Sequence, residues 1–318
     1  MIMDAILTLG LTPYWQGIVI VAGIAAIAAV GLQFTISSGQ FSLVHGALVG
    51  ASSYTAGVVS VLFGFDFWSA VVAGIAAGAL LGAVISVLLL RLDGVLFGLA
   101  TLAIGQALAL FAANNDFLGG TTGYNGVPLR TELWHVVAGL IVALAIVFAL
   151  RASRVGLALE ATGRDPVVAR SVGIPVGMIR VGGFAFGGAL AGLAGALNVQ
   201  YLSFVDPMAL NFSTEVQLPL FVVIGGMSTP VGAVVGAFGI TIASELLRFA
   251  QLDRAWILGL LLMTVALIRP QGLLGRRSVG APPFAGALGR FRSRRSPSAS
   301  ASDTDTLPEH EKSPTHAP

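Results

Sequence analysis

The sequence predicts an all-α protein, a polytopic membrane helix bundle with about eight to nine transmembrane segments and a discontinuous element near residues 225–230. Three observations lead to this fold class. Hydrophobic residues make up 56% of the 318 residues and charged residues only 10%, and the mean hydropathy is +0.89. Soluble domains average about 25% charged residues. A water-soluble globular protein is therefore excluded, and the lipid bilayer is the first expected partner.

Eight apolar runs account for the predicted spans, because about 20 apolar residues cross a bilayer. They lie at 14–34, 41–63, 67–90, 94–114, 133–150, 181–203, 216–247 and 255–268. The seventh run is interrupted by Gly225, Gly226 and Pro230. Glycine permits unusual φ angles and proline cannot donate a helix hydrogen bond, so this run is the predicted discontinuous element.

The positions of the arginines predict the orientation, since short loops rich in basic residues remain in the cytoplasm. The segment 151–180 and the tail after Arg269 carry most of the arginines, so both are expected to be cytoplasmic. The loop at Arg91 and Asp93 is then cytoplasmic as well. The loops near Asp66, at 115–132 and around Asp206 and Glu215 face outside, as does the N-terminus. A change of composition predicts a transmembrane domain over 1–275 and a disordered cytoplasmic tail over 276–318.

Residue types that are missing exclude several classes of protein. There is no cysteine, which excludes thiolate metal sites and cysteine nucleophiles. The sole lysine is Lys312, so the chain holds no G-x-x-x-x-G-K-[ST] nucleotide loop, and no two histidines have the i,i+4 spacing of a helical zinc pair. The arginines of the tail are interpreted as topology and lipid-headgroup charges. We expect no metal, no cofactor, no nucleic-acid partner and no enzyme activity in this chain.

The predicted spans contain almost no ionisable residue, although a secondary transporter normally needs one to carry the coupling ion. Glu245 is the deepest acid by sequence, and Arg248 three residues later favours an interfacial ion pair over a proton site. A translocation protein with neither a coupling acid nor a nucleotide site must take its energy from another subunit. The alternative is a self-sufficient ion-coupled secondary transporter of a small solute.

Glycines recur at four-residue spacing in two of the predicted spans, at Gly74, Gly78 and Gly82 and in the pairs Gly183 with Gly187 and Gly188 with Gly192. Small residues at this spacing let helix backbones approach closely in a membrane. They predict bundle packing rather than contact with a ligand.

A short helix is predicted within the segment 151–180. Asp165 has the side chain of an N-cap, Pro166 suits the first helical position, and Gly173 suits the C-terminal end. The valines of this two-turn helix would be exposed outside the bilayer unless a partner covers them. The alternative is a helix that lies on the headgroups, held by Arg164 and Arg170.

Motifs in order over residues 30–275 carry a family resemblance. They are Gly39-Gln40-Phe41-Ser42-Leu43-Val44-His45-Gly46-Ala47, Thr101-Leu102-Ala103-Ile104-Gly105-Gln106, Asn114-Asn115, Gly119-Gly120-Thr121-Thr122-Gly123, Gly163-Arg164-Asp165 with 169–174, 193–197, 223–232 and 269–273. The series resembles the permease subunits of branched-chain amino acid ABC importers, the LivM/LivH type, and most closely LivM.

The resemblance implies that residues 1–275 are the permease domain of a heteromeric importer in the inner membrane. Its expected partners are a second homologous permease subunit, two ABC ATPase subunits that bind ATP–Mg, and an extracytoplasmic solute-binding protein. The expected solutes are branched-chain or related small amino acids. Similar permeases handle urea, short amides or other amino acids, so the exact solute stays open.

Two groups of site residues follow from the resemblance. The candidate translocation path comprises Gln40, Ser42, His45, Thr101 and Gln106, and the helix that couples to the ATPase comprises Arg164, Asp165, Ala169, Arg170 and Gly173. His45 has a rival interpretation as a hydrogen-bond donor in helix packing. ATP-driven closure of the partner subunits would pull on the coupling helix and rock the bundle between inward- and outward-open states.

Overall fold

The computed structural model describes residues 12–210 and 212–249. Within these ranges the α-helices are α1 (Pro13–Ser37), α2 (His45–Leu62), α3 (Phe67–Leu88), α4 (Gly94–Ala113), α5 (Leu133–Ala152), α6 (Arg154–Arg164), α7 (Pro166–Ser171), α8 (Val176–Leu202), α9 (Phe212–Gly225) and α10 (Pro230–Phe249). The predicted span 255–268 and the predicted tail 276–318 lie outside the described residues.

The predicted helical bundle is confirmed. Five of the described helices, α1, α3, α4, α5 and α8, are long and apolar enough to cross a membrane, and the bent pair α9–α10 brings the number to six. Most helices begin and end within a few residues of the predicted runs. The second run was predicted to start at 41, but α2 starts only at His45, because Gly39 turns the chain with a φ of +83°.

A short antiparallel ribbon shows which loops share one end of the bundle. Strand β1 (Tyr124–Asn125) pairs antiparallel with β2 (Phe204–Val205). This two-stranded ribbon brings the loops 115–132 and 203–207 together, as the predicted topology requires. We call this end the ribbon end.

The opposite end carries Arg91, Arg151, Arg154 and Arg164, and we call it the arginine end. Arg180 at the start of α8 forms an ion pair there with Asp93, at 2.7 Å between Nη1 and Oδ1. The pair joins the α3–α4 loop to the segment 151–180, which were both assigned to the same side of the membrane. That this side is the cytoplasm stays a prediction.

Helix α8 packs against α3 along a stripe of glycines. A Cβ at Gly78 would lie 2.2 Å from the Gly188 carbonyl oxygen, and a Cβ at Gly192 would lie 2.2 Å from the Gly74 carbonyl oxygen. No side chain fits between backbones that approach so closely. The glycines at four-residue spacing therefore pack helices, as predicted.

Helices α1 and α2 approach α8 on its other sides in the same way. A Cβ at Gly187 would lie 2.0 Å from Thr35 Oγ1 of α1, and a Cβ at Gly195 would lie 2.2 Å from the Val49 carbonyl oxygen of α2. Ser53 donates a hydrogen bond of 2.8 Å to the Gly195 carbonyl oxygen. Helix α8 is therefore the centre of the bundle.

The predicted discontinuous element is present between α9 and α10, whose axes are bent by 117°. Gly226 has a φ of +123°, and Pro230 is the first residue of α10. After the turn the two helices stay in contact, since a Cβ at Gly225 would lie 1.9 Å from the Gly232 carbonyl oxygen.

We expect Gly188→Ala to destabilise the bundle, because its Cβ would lie 2.3 Å from the Gly78 carbonyl oxygen. Overpacking of this kind costs about 1–3 kcal/mol. The measurement is thermal unfolding of the detergent-solubilised protein, followed by tryptophan fluorescence. The control is Gly182→Ala in the same helix, where a Cβ meets open space. Equal unfolding midpoints for the two variants would contradict the packing assignment.

Candidate functional site

Gln40 and Ser42 lie in the turn between α1 and α2, and His45 is the first residue of α2. A fourth candidate, Thr101 of α4, contacts the same turn. His45 is fully buried and lies 3.2 Å from Thr35 Oγ1 through Nε2 and 3.2 Å from Ser42 Oγ through Nδ1. Its ring also packs against Phe184, with ring centroids 5.2 Å apart. Both ring nitrogens thus have protein partners, which favours the packing interpretation of His45 in this conformation.

Gln40 and Thr101 tie the same turn to neighbouring helices. Gln40 donates from Nε2 to Ser86 Oγ of α3 at 3.1 Å. Thr101 Oγ1 accepts a hydrogen bond of 3.1 Å from the Leu43 amide and donates one of 2.7 Å to the Gly98 carbonyl oxygen. These contacts hold irregular backbone inside the bundle, where unpaired polar groups would be costly.

The fifth candidate, Gln106, contacts Glu215, an acid whose position was predicted wrongly from the sequence. Gln106 donates from Nε2 to Glu215 Oε2 at 2.8 Å. Glu215 is fully buried, although the sequence placed it in the acidic outer loop. Gly105 makes room for it, since a Cβ there would lie 1.7 Å from Glu215 Oε1. Glu215 Oε1 is buried and has no hydrogen-bond partner within the described structure.

The acid Glu245 lies nearer the ribbon end. The Tyr14 hydroxyl donates a hydrogen bond to Glu245 Oε1, which ties α10 to the start of α1. The predicted ion pair with Arg248 falls on a side chain outside the described part of the structure. The position of Glu215 could have been predicted from its place directly before an apolar run, because a helix can begin before the run does.

Two cavities lie along α1 and the α9–α10 pair. The ribbon-end cavity, of about 460 Å³, has apolar walls that include Ala25, Val49, Leu218 and Phe221. Its polar wall residues include Ser53, Asn198, Asp206, Gln217 and Glu245. Its volume is in the range of small-molecule sites, about 300–1,000 Å³.

The arginine-end cavity, of about 850 Å³, lies between the end of α1, α5, α6 and the α9–α10 turn. Within the described residues, the walls of the two cavities include Gly46, next to His45, but none of the five candidate path residues. Those residues thus line neither cavity, and their part in transport stays a prediction.

The short helix predicted for this segment is present as α7, and its coupling to an ATPase stays a prediction. Asp165 Oδ1 accepts hydrogen bonds from the amides of Val167 at 2.8 Å and Val168 at 3.1 Å, as an N-cap does. Gly173 closes the helix with a φ of +82°, and its amide donates to the Arg170 carbonyl oxygen at 3.0 Å. Local capping therefore defines this element, as the sequence indicated.

The exposed surface of α7 and its C-cap residue Val172 includes three valines beside Arg170 and Ser171. Val167, Val168 and Val172 are 70%, 58% and 70% exposed, whereas Ala169 faces inward and is buried. The neighbouring Arg164 pairs with Glu160 at 2.7 Å on the exposed face of α6. Among residues 12–210 and 212–249, no cluster of His, Asp and Glu could hold a metal ion.

The chain matches the family described as "Branched-chain amino acid transport system / permease component" over residues 14–268. The chain belongs to this family. The permease family and the apolar helices together show an integral membrane protein.

Individual relatives agree with this assignment. LivM, a permease protein of the high-affinity branched-chain amino acid transport system of Escherichia coli, is 28% identical over 81% of this chain and 68% of LivM. LivH, a permease protein of the same system, is 30% identical over 48% of this chain and 49% of LivH.

LsrC, a permease protein of the autoinducer 2 import system of Yersinia pseudotuberculosis, is 26% identical over 77% of this chain and 73% of LsrC. No solved structure matches the chain. The predicted resemblance to LivM/LivH permeases is confirmed.

For this permease-family bundle, we expect Gln106→Met to lower the free energy of unfolding by about 1–3 kcal/mol, since it leaves a buried carboxylate without its donor. The double variant Gln106→Met with Glu215→Met should recover much of this loss, because neither polar group remains. Thermal unfolding of the four proteins of this double-mutant cycle measures the coupling. Additive effects of the two substitutions would contradict the pairing.

Proposed function

We propose that this chain is a permease subunit of an ATP-driven ABC importer in the bacterial inner membrane, which moves branched-chain or related small amino acids inward without chemistry of its own. The observation that carries the proposal is the capped, exposed apolar surface of α7 in a chain of this permease family. A short helix that exposes three valines, one of them at its C-cap, outside the spans fits a groove on a partner better than it fits water.

The proposal assigns energy supply and solute capture to other subunits. Two ATPase subunits would bind ATP–Mg and hydrolyse ATP, and α7 would be seated on one of them. Relatives from both the LivM and the LivH type support a second, homologous permease subunit. An extracytoplasmic solute-binding protein would deliver the solute at the ribbon end, and the arginine end, with any C-terminal tail, would face the cytoplasm.

The ribbon-end cavity supports a small solute with apolar and polar parts. Val49, Leu218 and Phe221 offer an apolar wall, and Asp206 and Glu245 place carboxylates in the same cavity. Acidic groups beside apolar ones suit a solute that carries both an ammonium group and an aliphatic side chain. Related permeases named for other solutes, such as LsrC, make branched-chain amino acids the first class to test rather than the only one.

A second candidate function is favoured by one observation. Glu215, in the first turn of α9, is a fully buried acid that packs against Gly105 and Gln106 of α4. Buried acids within a bundle often carry coupling ions. An ion-coupled secondary transporter would use such a residue. The two functions differ in whether the chain transports alone.

We expect the solubilised chain to retain ATPase subunits of branched-chain amino acid importers from the same genome in a pull-down. Val168→Asp with Val172→Asp should reduce retention at least tenfold, because charges replace the exposed apolar surface. The matched control is Val155→Asp, an exposed valine of α6, which should bind as wild type.

Two results would reject the role of α7. Equal retention by the α7 variant and wild type in detergent would mean that α7 lies on lipid headgroups instead. Solute uptake by the chain alone in liposomes, abolished by a protonophore and by Glu215→Gln, would establish the ion-coupled alternative.

We expect Val49→Trp to reduce ATP-dependent uptake of radiolabelled leucine at least tenfold in proteoliposomes of the complete importer, because the indole fills the ribbon-end cavity. Leu99→Trp, at a position of α4 that is 55% exposed, is the control and should transport normally. Both variants must retain the ATPase subunits. Competition by unlabelled valine, urea and short amides then ranks the solutes, and normal uptake by Val49→Trp would contradict a path through this cavity.

A further inference from the structure

Two helix breaks that are far apart in sequence meet in the fold. The first follows α1, which ends at Ser37, and the second is the turn between α9 and α10. Gln33, a fully buried residue of α1, donates from Nε2 to the Met227 carbonyl oxygen at 2.8 Å. A side chain of one interrupted helix thus satisfies a carbonyl freed by the other break.

Arg151, in the last turn of α5, binds both breaks with one guanidinium. Nη1 donates to the Ser228 carbonyl oxygen at 3.1 Å, and Nη2 donates to Ser37 Oγ at 2.7 Å. The rigid fork of a guanidinium can serve two acceptors at once, whereas an ammonium is a single point charge. We call the side chains of Gln33, Ser37 and Arg151 with the carbonyls of Met227 and Ser228 the latch.

Four latch residues line the arginine-end cavity, and Gln33 lies in the buried stretch of α1 between the two cavities. Along these helices the ribbon-end cavity extends to Ala28 of α1 and Phe221 of α9, and the arginine-end cavity begins at Ile36 and Met227. All residues from 29 to 35 of α1 are buried. A seal of about two helical turns therefore separates the cavities, and the latch closes its arginine-end side.

The latch is also in contact with the segment that leads to α7. Gly163 of α6 packs on the end of α1 so closely that a Cβ there would lie 2.3 Å from the Ser37 carbonyl oxygen. Asp165, the N-cap of α7, follows two residues later. A displacement of α7 must therefore move the backbone against which Ser37 rests.

We propose that Arg151 is a positioning residue for transport, which holds the two helix breaks together and closes the path between the two cavities at the arginine end. The proposal rests on the proposed function, in which α7 receives the movement of an ATPase. Release of the Arg151 contacts would let α1 and the α9–α10 turn separate and join the cavities. Arg151 contacts no solute in this scheme.

Accessibility of a single cysteine tests the proposal, because the natural chain contains no cysteine. The reporter is Ala25→Cys in the wall of the ribbon-end cavity, in the full chain in sealed membrane vesicles. A membrane-impermeant maleimide is applied separately to each face. With Arg151 present, we expect labelling from the ribbon-end face only. Arg151→Gln should raise labelling from the arginine-end face at least tenfold.

Matched variants separate this role from a general loss of structure. Arg154→Gln removes an exposed arginine three residues later and should label as the parent does. Arg151→Lys should give an intermediate rate, because lysine can serve one acceptor at a time. Ser37→Ala removes one acceptor without a change of charge and should raise labelling several-fold, which keeps the test valid if Arg151→Gln does not accumulate.

The outcomes are distinct from those of the ATPase pull-down, since labelling needs the permease chain alone. A failed pull-down with increased labelling in Arg151→Gln would reject the importer assignment and support the latch. Labelling of Arg151→Gln and Ser37→Ala at the rate of Arg154→Gln would overturn the latch, whatever the pull-down shows.

Discussion

The close approach of helix backbones to α8 is the constraint on which the rest of the structure depends. In a bilayer no hydrophobic force drives helices together, so small residues that permit close packing determine which helices associate. Gly188 and Gly192 allow α3 to pack closely on α8, Gly187 does the same for α1, and Gly195 does so for α2. Because Gly183 also packs against Ser38, α8 fixes the position of the first helix break as well as the helices around it.

Once α1 and α2 are fixed, the irregular backbone between and beyond the helices must find polar partners inside the protein. Gln40, Thr101 and Ser42 serve the first break. Gln33 and Arg151 serve the second. These five side chains therefore stabilise the backbone at the two helix breaks. Glu215 is a fully buried acid, and one of its carboxylate oxygens has no hydrogen-bond partner within the described structure.

Helix ends and helix breaks could be predicted where residues within one or two turns cause them. The N-cap at Asp165 and the left-handed glycine at Gly173 were read from neighbouring residues, and the structure contains both. The glycine and proline break at 225–230 was predictable for the same reason. Glu215 was misplaced because a single acid before an apolar run resembles a loop residue, although α9 begins at Phe212, before the run does.

The sequence by itself determined the membrane class, the approximate spans, the break in the seventh run and the ends of α7, because each depends on composition or on residues within one or two turns. Only the tertiary structure decided which polar groups meet. Gln106 and Glu215 are 109 residues apart, and Arg151 is 77 residues from Ser228 and 114 from Ser37. Such pairs have no local signature, because they form only when packing of the helices has brought distant parts of the chain into contact.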